Sequence, residues 1–197
     1  MTASPSKQVK RIIACEVFRS ALDALEIEAR YAHVKVTYLP STLHSNSSEL
    51  KKRLLEELTA AKANNEQAVF LYGACFPHID DLCQEAGVTR APGDFCYEIL
   101  LNHQRFKRLM DETAGTYFAE KDLILNFDEF CRIPLELDDE NMRKHFFGPY
   151  KKFLYIRQPL DADLTSKAEE IAKYLDLKLE VHDADYSYLQ KILDELI

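Results

Sequence analysis

Glycine and proline are scarce in this chain, with only 5 Gly and 7 Pro among 197 residues. This scarcity excludes a collagen-like or low-complexity protein. No apolar run approaches the roughly 20 residues that a membrane-spanning helix needs. The apolar stretch that follows the polar start MTASPSKQVKR is too short for the core of a signal peptide. We therefore expect a cytoplasmic protein that does not enter a membrane.

The chain also lacks the common fingerprints of nucleotide-binding and hydrolytic sites. There is no GxGxxG after the first predicted strand, no GxxxxGK[ST] and no GxSxG. Acidic residues outnumber basic ones by 33 to 25, which gives a net charge of -8. No basic stripe with interleaved aromatic residues is present. Nucleic acid and anionic membranes are therefore not expected as partners.

The pattern that is present is an alternation of strands and helices. Short β-branched or alternating apolar runs predict five strands, at 9–15, 33–39, 67–72, 152–157 and 177–182. The segments between them have apolar residues at helical spacing, which is typical of βαβ units. We predict a three-layer, mostly parallel, Rossmann-like α/β sheet of about five strands with helices on both faces. Residues 1–9 are expected to be a flexible N-terminus and 10–197 a single domain.

The region between the third and fourth of these strands is predicted to be helical. One long helical region is expected from about 94 to 110, and a second apolar stripe at helical spacing runs over 123–131. The segment GTYF at 115–118 is expected to interrupt them.

Five cysteines occur, an odd number at wide spacing. In a reducing compartment they are thiols, metal ligands or redox groups rather than a disulfide framework. Cys15 ends the first predicted strand, His44 lies in the loop after the second, and Cys75 follows the third. Cys96 lies in the first turn of the next long helix. Because parallel strands end at the same edge of a sheet, we expect these four residues to converge there.

The three cysteines and His44 are compatible with either of two kinds of metal site, or with a purely structural packing role for the cysteines. Three thiolates and one imidazole make a tetrahedral zinc site, and three thiolates alone can hold a [4Fe–4S] cluster with one open iron. Alternatively, each cysteine packs as a small apolar residue. Cys83 and Cys131 fall on apolar helix faces, where we expect packing. Glu98, two residues after Cys96, is a candidate to orient a ligand or act as a general base, with an exposed helix acid as the alternative.

Five ordered segments together resemble domain-of-unknown-function family 1638 over roughly residues 10–190. They are IIAC (12–15), LPSTLH (39–44), LYGAC (71–75), RAPGDFCYEILL (90–101) and GTYF (115–118). The family's characteristic cysteines match Cys15, Cys75 and Cys96, and its loop histidine matches His44. The chain departs from the family pattern after LYGAC, where FP replaces a usual glycine. The resemblance also makes Thr116 and Tyr117 candidates for substrate contact, with structural packing as the alternative.

The resemblance implies a setting in methanogenic archaea and anaerobic bacteria, often beside genes for corrinoid-dependent methyl transfer. We therefore expect a metal-thiolate enzyme or accessory factor of anaerobic one-carbon metabolism, namely a metal-dependent transferase or an iron–sulfur enzyme. Zinc is favoured because His44 supplies a fourth ligand. The alternatives are a three-cysteine [4Fe–4S] protein acting on a sulfur or other small-molecule substrate, and a non-catalytic module that binds a metal or a corrinoid protein. Expected partners are a small-molecule substrate or a corrinoid protein, and a homo-oligomer is an open alternative.

Overall fold

The computed structural model describes residues 8–197. Most of the N-terminal segment expected to be flexible, residues 1–7, therefore lies outside the described residues. The described chain divides into two compact units, each with its own sheet. Unit 1 contains the described residues up to Cys96 together with Leu189–Ile197, and unit 2 contains Tyr97–Tyr188. The division was not visible as a polar linker because it falls inside helix α5 (Cys96–Leu101).

Unit 1 is built on a parallel sheet with strand order β2-β1-β3-β4. Its strands are β1 (Lys10–Cys15), β2 (Val34–Leu39), β3 (Gln67–Leu71) and β4 (Thr89–Arg90). In the central pairs Cys15 lies opposite Leu39, and Ala14 lies opposite Leu71. The first and third strands are therefore neighbours in the sheet. Ile12 and Ile13 are completely buried, which explains why this β-branched run forms the central strand.

Helices connect and flank these strands. They are α1 (Arg19–Ala24), α2 (Ile27–Arg30), α3 (Ser47–Ala63) and α4 (Ile79–Ala86), with 3-10 turns at Glu16–Phe18 and Ser41–Ser45. The side chain of Asn46 caps α3 by accepting the Glu49 N–H at 3.1 Å. Leu50, Leu54 and Leu58, spaced by four residues, place one face of α3 in the unit 1 core.

Unit 2 has a second parallel sheet with order β5-β6-β7. Its strands are β5 (Thr116–Ala119), β6 (Lys152–Arg157) and β7 (Lys178–Asp183). Its helices are α6 (His103–Glu112), α7 (Lys121–Leu125), α8 (Glu140–Phe147) and α9 (Thr165–Tyr174), with a π-helical turn at Asp128–Arg132. The last helix, α10 (Tyr186–Leu196), begins in unit 2 and ends in unit 1.

The predicted fold class is confirmed as α/β with parallel, Rossmann-like sheets and flanking helices, although seven described strands form two sheets. GTYF, expected to be an interruption, forms most of β5. The long helix expected over 94–110 is broken at Asn102, and the stripe over 123–131 is split between α7 and the π-helical turn. Across residues 8–197, no helix combines the length and apolar character needed to cross a bilayer.

Candidate thiol site

The sheet of unit 1 contains a point at which its strand order reverses. β1 pairs with β2 on one side and with β3 on the other. The connections that leave β1 and β3 therefore diverge, and ligands of open parallel sheets bind in the crevice at such a point. Cys15 is the last residue of β1, and Cys75 follows the end of β3 by four residues. Both cysteines consequently stand at the edge where this fold binds ligands.

A buried phenol lies beside these two thiols. Tyr72 is only 2% exposed, and its hydroxyl has no hydrogen-bond partner within the described part of the chain. Burial raises the pKa of Tyr72 far above its ordinary value, and the neighbouring Cys15 and Cys75 raise it further. A buried hydroxyl without a partner costs about 1–3 kcal/mol. Tyr72 is therefore an unused hydrogen-bonding group next to two thiols.

Gly73 brings the loop of Cys75 against the backbone that leads into Cys96. A Cβ atom on Gly73 would lie 2.7 Å from the Asp94 carbonyl oxygen and 3.0 Å from the Cys96 nitrogen, so no larger residue fits. The Ala74 N–H donates to the same Asp94 oxygen at 2.8 Å. The two cysteine-bearing segments are thus joined through their main chains.

Arg90 holds the same two segments with its side chain. Its Nη1 donates to the carbonyl oxygens of Tyr72 at 3.0 Å and Gly93 at 2.7 Å. Its Nε donates to Asp80 at 2.7 Å, although the Arg90 side chain is only 9% exposed. Sequence reasoning missed this residue, and the only signal was its place at the start of RAPGDFC.

The electrostatic environment of Cys75 combines two opposing effects. Burial raises the pKa of its thiol, whereas the positive charge of Arg90 and a backbone hydrogen bond from Gly73 lower it. Burial is the larger effect, so the net shift is upward. Cys75 is accordingly a neutral, half-buried thiol near neutral pH, with a cation close enough to stabilise a thiolate if one forms.

His44 differs from the cysteines in its surroundings. It lies on the 3-10 turn Ser41–Ser45 and is exposed. Leu43 from the same turn packs against the core cluster that also receives Cys15 and Cys75. Among residues 8–197, no three His, Cys, Asp or Glu side chains are already grouped as a metal site. The structure thus brings the cysteine-bearing segments together but leaves the imidazole at the surface.

Two of the predicted candidates in unit 2 have their hydrogen-bonding groups satisfied locally. The Thr116 hydroxyl donates to the Thr113 carbonyl oxygen at 2.8 Å. The Tyr117 hydroxyl lies 3.1 Å from the Cys131 sulfur, and its ring packs edge-on against Phe147. These contacts match the packing alternative for both residues.

Glu98 is buried, which differs from an ordinary exposed helix acid. One of its carboxylate oxygens lies 2.5 Å from Nδ1 of His103. The remaining cysteines, Cys83 and Cys131, are buried in the cores of unit 1 and unit 2, respectively, as predicted.

A family model described as "Protein of unknown function (DUF1638)" matches residues 38–193. The chain belongs to this family. The resemblance drawn from the five sequence segments is therefore confirmed, and the DUF1638 match includes His44, Cys75 and Cys96 while beginning after Cys15. No curated protein and no solved structure matches the chain.

Proposed function

We propose that this DUF1638 protein binds zinc through Cys15, Cys75 and Cys96 and serves methyl transfer to a thiol in anaerobic one-carbon metabolism. The observation that carries the proposal is the unpartnered Tyr72 hydroxyl, buried beside two thiols where the strand order reverses. Thiolates are preferred zinc ligands, and a zinc-bound thiol is deprotonated and nucleophilic. The three thiolates leave a fourth position, which His44 would occupy until a substrate thiol takes it.

The residues around the cysteines have distinct proposed roles. Arg90 compensates the excess negative charge of three thiolates on a divalent ion, since its positive charge already opposes the upward shift that burial imposes on the pKa of Cys75. Tyr72 donates a hydrogen bond to a bound sulfur. His44, which is exposed on a short turn, is the fourth ligand that a substrate thiol displaces.

The proposed partner is a methyl-bearing corrinoid protein, in keeping with the genomic setting that the family resemblance implies. The substrate thiol would release its proton to solvent on binding zinc, and its sulfur would then form a bond to the methyl carbon. The bond between carbon and cobalt would break and leave its electron pair on cobalt. The leaving group thus needs no proton from the protein.

A [4Fe–4S] cluster is the second candidate, and the exposure of His44 is the observation that favours it. Without the imidazole, three cysteines remain, which is the number that leaves one iron open. A small sulfur-containing substrate would then bind at that iron.

The deciding experiment is metal analysis of protein purified without oxygen, together with its visible absorption spectrum. We expect about one zinc ion per chain and a colourless solution. A brown solution containing iron and sulfide would establish the cluster instead.

Matched cysteine variants then locate the site. Cys75→Ala is expected to lose the metal, whereas Cys83→Ala is the control, because Cys83 is buried in the same core cluster but lies on α4. Full metal retention in a folded Cys75→Ala protein would refute the site.

A further inference from the structure

In unit 2 the buried carboxylate of Glu98 forms a hydrogen bond with the exposed imidazole of His103. The Glu98 side chain is 10% exposed and that of His103 is 62% exposed, with 2.5 Å between Oε1 and Nδ1. A carboxylate accepts the Nδ1–H of a neutral imidazole, and this fixes the tautomer. The lone pair of Nε2 is then left for another molecule. Catalytic histidines that are oriented by a buried acid have this arrangement.

An unusual backbone conformation creates the pair. Residues five positions apart on a continuous helix lie about 140° apart around its axis, so Glu98 and His103 would not meet. At Asn102 the chain adopts φ 65° and ψ 152°, a region that residues other than glycine rarely occupy. The Asn102 side chain then starts α6 by accepting the Arg105 N–H at 2.9 Å. The break turns His103 back toward Glu98.

A second histidine pair provides a comparison within the same chain. His78 Nδ1 lies 2.9 Å from Asp81, but both side chains are largely exposed, at 80% and 68%. Water screens such a surface pair and competes for its hydrogen bond. The Glu98 carboxylate is shielded from water, so water competes less for its hydrogen bond to the imidazole. Burial of the acid therefore distinguishes the two pairs.

We propose that His103 is a general base for a substrate with an acidic O–H, N–H or S–H bond, and that Glu98 is its positioning residue. The Nε2 lone pair forms a bond to the substrate proton. The bond from that proton to the substrate heteroatom breaks and leaves its electron pair there. The imidazolium that results is paired with the Glu98 carboxylate. This role does not depend on metal binding by the cysteines.

The test uses diethyl pyrocarbonate, which acylates neutral imidazole nitrogen, with the rate at each histidine followed by mass spectrometry on the full-length protein. We expect His103 to react about tenfold faster than His78, and Glu98→Gln to remove that difference. Asp81→Asn should leave the rate at His103 unchanged. Nitrogen chemical shifts should also show His103 as the Nδ1–H tautomer, which a general reactivity of exposed histidines would not produce.

Two results would overturn the proposal. One is equal reactivity of His103 and His78 in the native protein, a comparison that stands even if the Glu98 variant fails to fold. The other is an unchanged rate at His103 in a folded Glu98→Gln protein.

Discussion

Nη1 of Arg90 donates a hydrogen bond of 3.0 Å to the main-chain carbonyl oxygen of Tyr72, the first residue after β3. The same nitrogen donates to Gly93, three residues before Cys96. One buried guanidinium therefore fixes the spacing between the segments that carry Cys75 and Cys96. A planar fork with several donors can do this, whereas the single ammonium of lysine cannot reproduce its geometry.

We accordingly expect Arg90→Lys to lower the affinity for zinc by about 10–100-fold. The positive charge remains, but the hydrogen bonds that join the Tyr72 and Gly93 segments are lost. Competition with a chromogenic zinc chelator measures the change. Arg132→Lys is the matched control, since Arg132 makes a similar pair of hydrogen bonds to a carboxylate, that of Asp138 in unit 2. Unchanged zinc affinity in a folded Arg90→Lys protein would contradict the positioning role of Arg90.

Tyr72→Phe is expected to have opposite effects on the metal-free and metal-bound protein. Removing a buried hydroxyl that lacks a partner should raise the free energy of unfolding of the metal-free protein by about 1–2 kcal/mol. Loss of the hydrogen bond to a bound sulfur should weaken zinc binding. Urea denaturation with and without zinc separates the two effects. A destabilised metal-free Tyr72→Phe protein would show that the hydroxyl has a structural partner.

Glu120→Gln should change how stability depends on pH. Glu120 is 5% exposed and caps α7 by accepting the Asp122 and Leu123 N–H groups. Burial, together with the charge of Asp122, raises the pKa of Glu120 from 4.5 to about 7. Between these two values the folded protein binds more protons than the unfolded chain, so the contribution of Glu120 to stability falls as pH rises through this window.

Glutamine keeps one of the two acceptor oxygens of the cap, which lowers stability equally at every pH, and it does not ionise. As the pH rises from 4.5 to 7, the unfolding free energy of Glu120→Gln should therefore gain on the order of 2 kcal/mol relative to that of the native protein. Urea denaturation at several pH values measures this gain. Glu140→Gln, at an exposed acid in the first turn of α8, is the control and should show no such gain. Parallel pH profiles for native protein and Glu120→Gln would exclude the effect.

Cys131 should tolerate serine better than alanine. Its sulfur lies 3.1 Å from the Tyr117 hydroxyl, and serine can still bond to that hydroxyl. Alanine leaves both a cavity and an unpaired phenol, at about 2–3 kcal/mol. Thermal unfolding compares the two variants. Neither should alter metal content, and a loss of zinc in folded Cys131→Ser would bring this residue into the metal site.

Asn102→Gly and Asn102→Ala test the cost of the backbone break. Glycine adopts the observed conformation without steric strain. In Asn102→Gly the relief of backbone strain therefore offsets the loss of the helix cap, and the free energy of unfolding should change by less than about 1 kcal/mol. Alanine loses the cap and keeps the strain that asparagine already bears, so it should destabilise the protein by about 0.5–2 kcal/mol. Denaturant unfolding compares the two variants. If Asn102→Ala were more stable than Asn102→Gly, the backbone at this position would not be strained.

The strands that sequence reasoning predicted correctly are those with a continuous apolar or β-branched run. Ile12 and Ile13 in β1 are completely buried on both faces of their sheet, and this environment leaves a clear pattern in the sequence. β4 and β5 have two and four residues, too few for a periodic pattern. β5 forms because it pairs with β6, a contact made far along the chain.

The same difference applies to the site. The place of Cys15 and Cys75 at one sheet edge was predictable, because Cys15 ends a predicted strand, Cys75 follows another, and the ends of parallel strands share an edge. The contributions of Arg90 and Tyr72 depend on the course of loops through space, since Arg90 binds main-chain carbonyl groups that every residue carries. The pairing of Glu98 with His103 depends on the break in the helix at Asn102, and a single asparagine in the sequence does not predict such a break.

The return of α10 to unit 1 has a consequence for synthesis on the ribosome. Lys10 in the first strand donates to the Leu196 carbonyl oxygen at 2.7 Å, and Tyr31 donates to Asp194 at 2.5 Å. The sheet that carries Cys15 and Cys75 is translated early, yet these contacts form only after residue 196 has left the exit tunnel. The contacts that the end of α10 makes in unit 1 therefore form only after the whole of unit 2 has been synthesised.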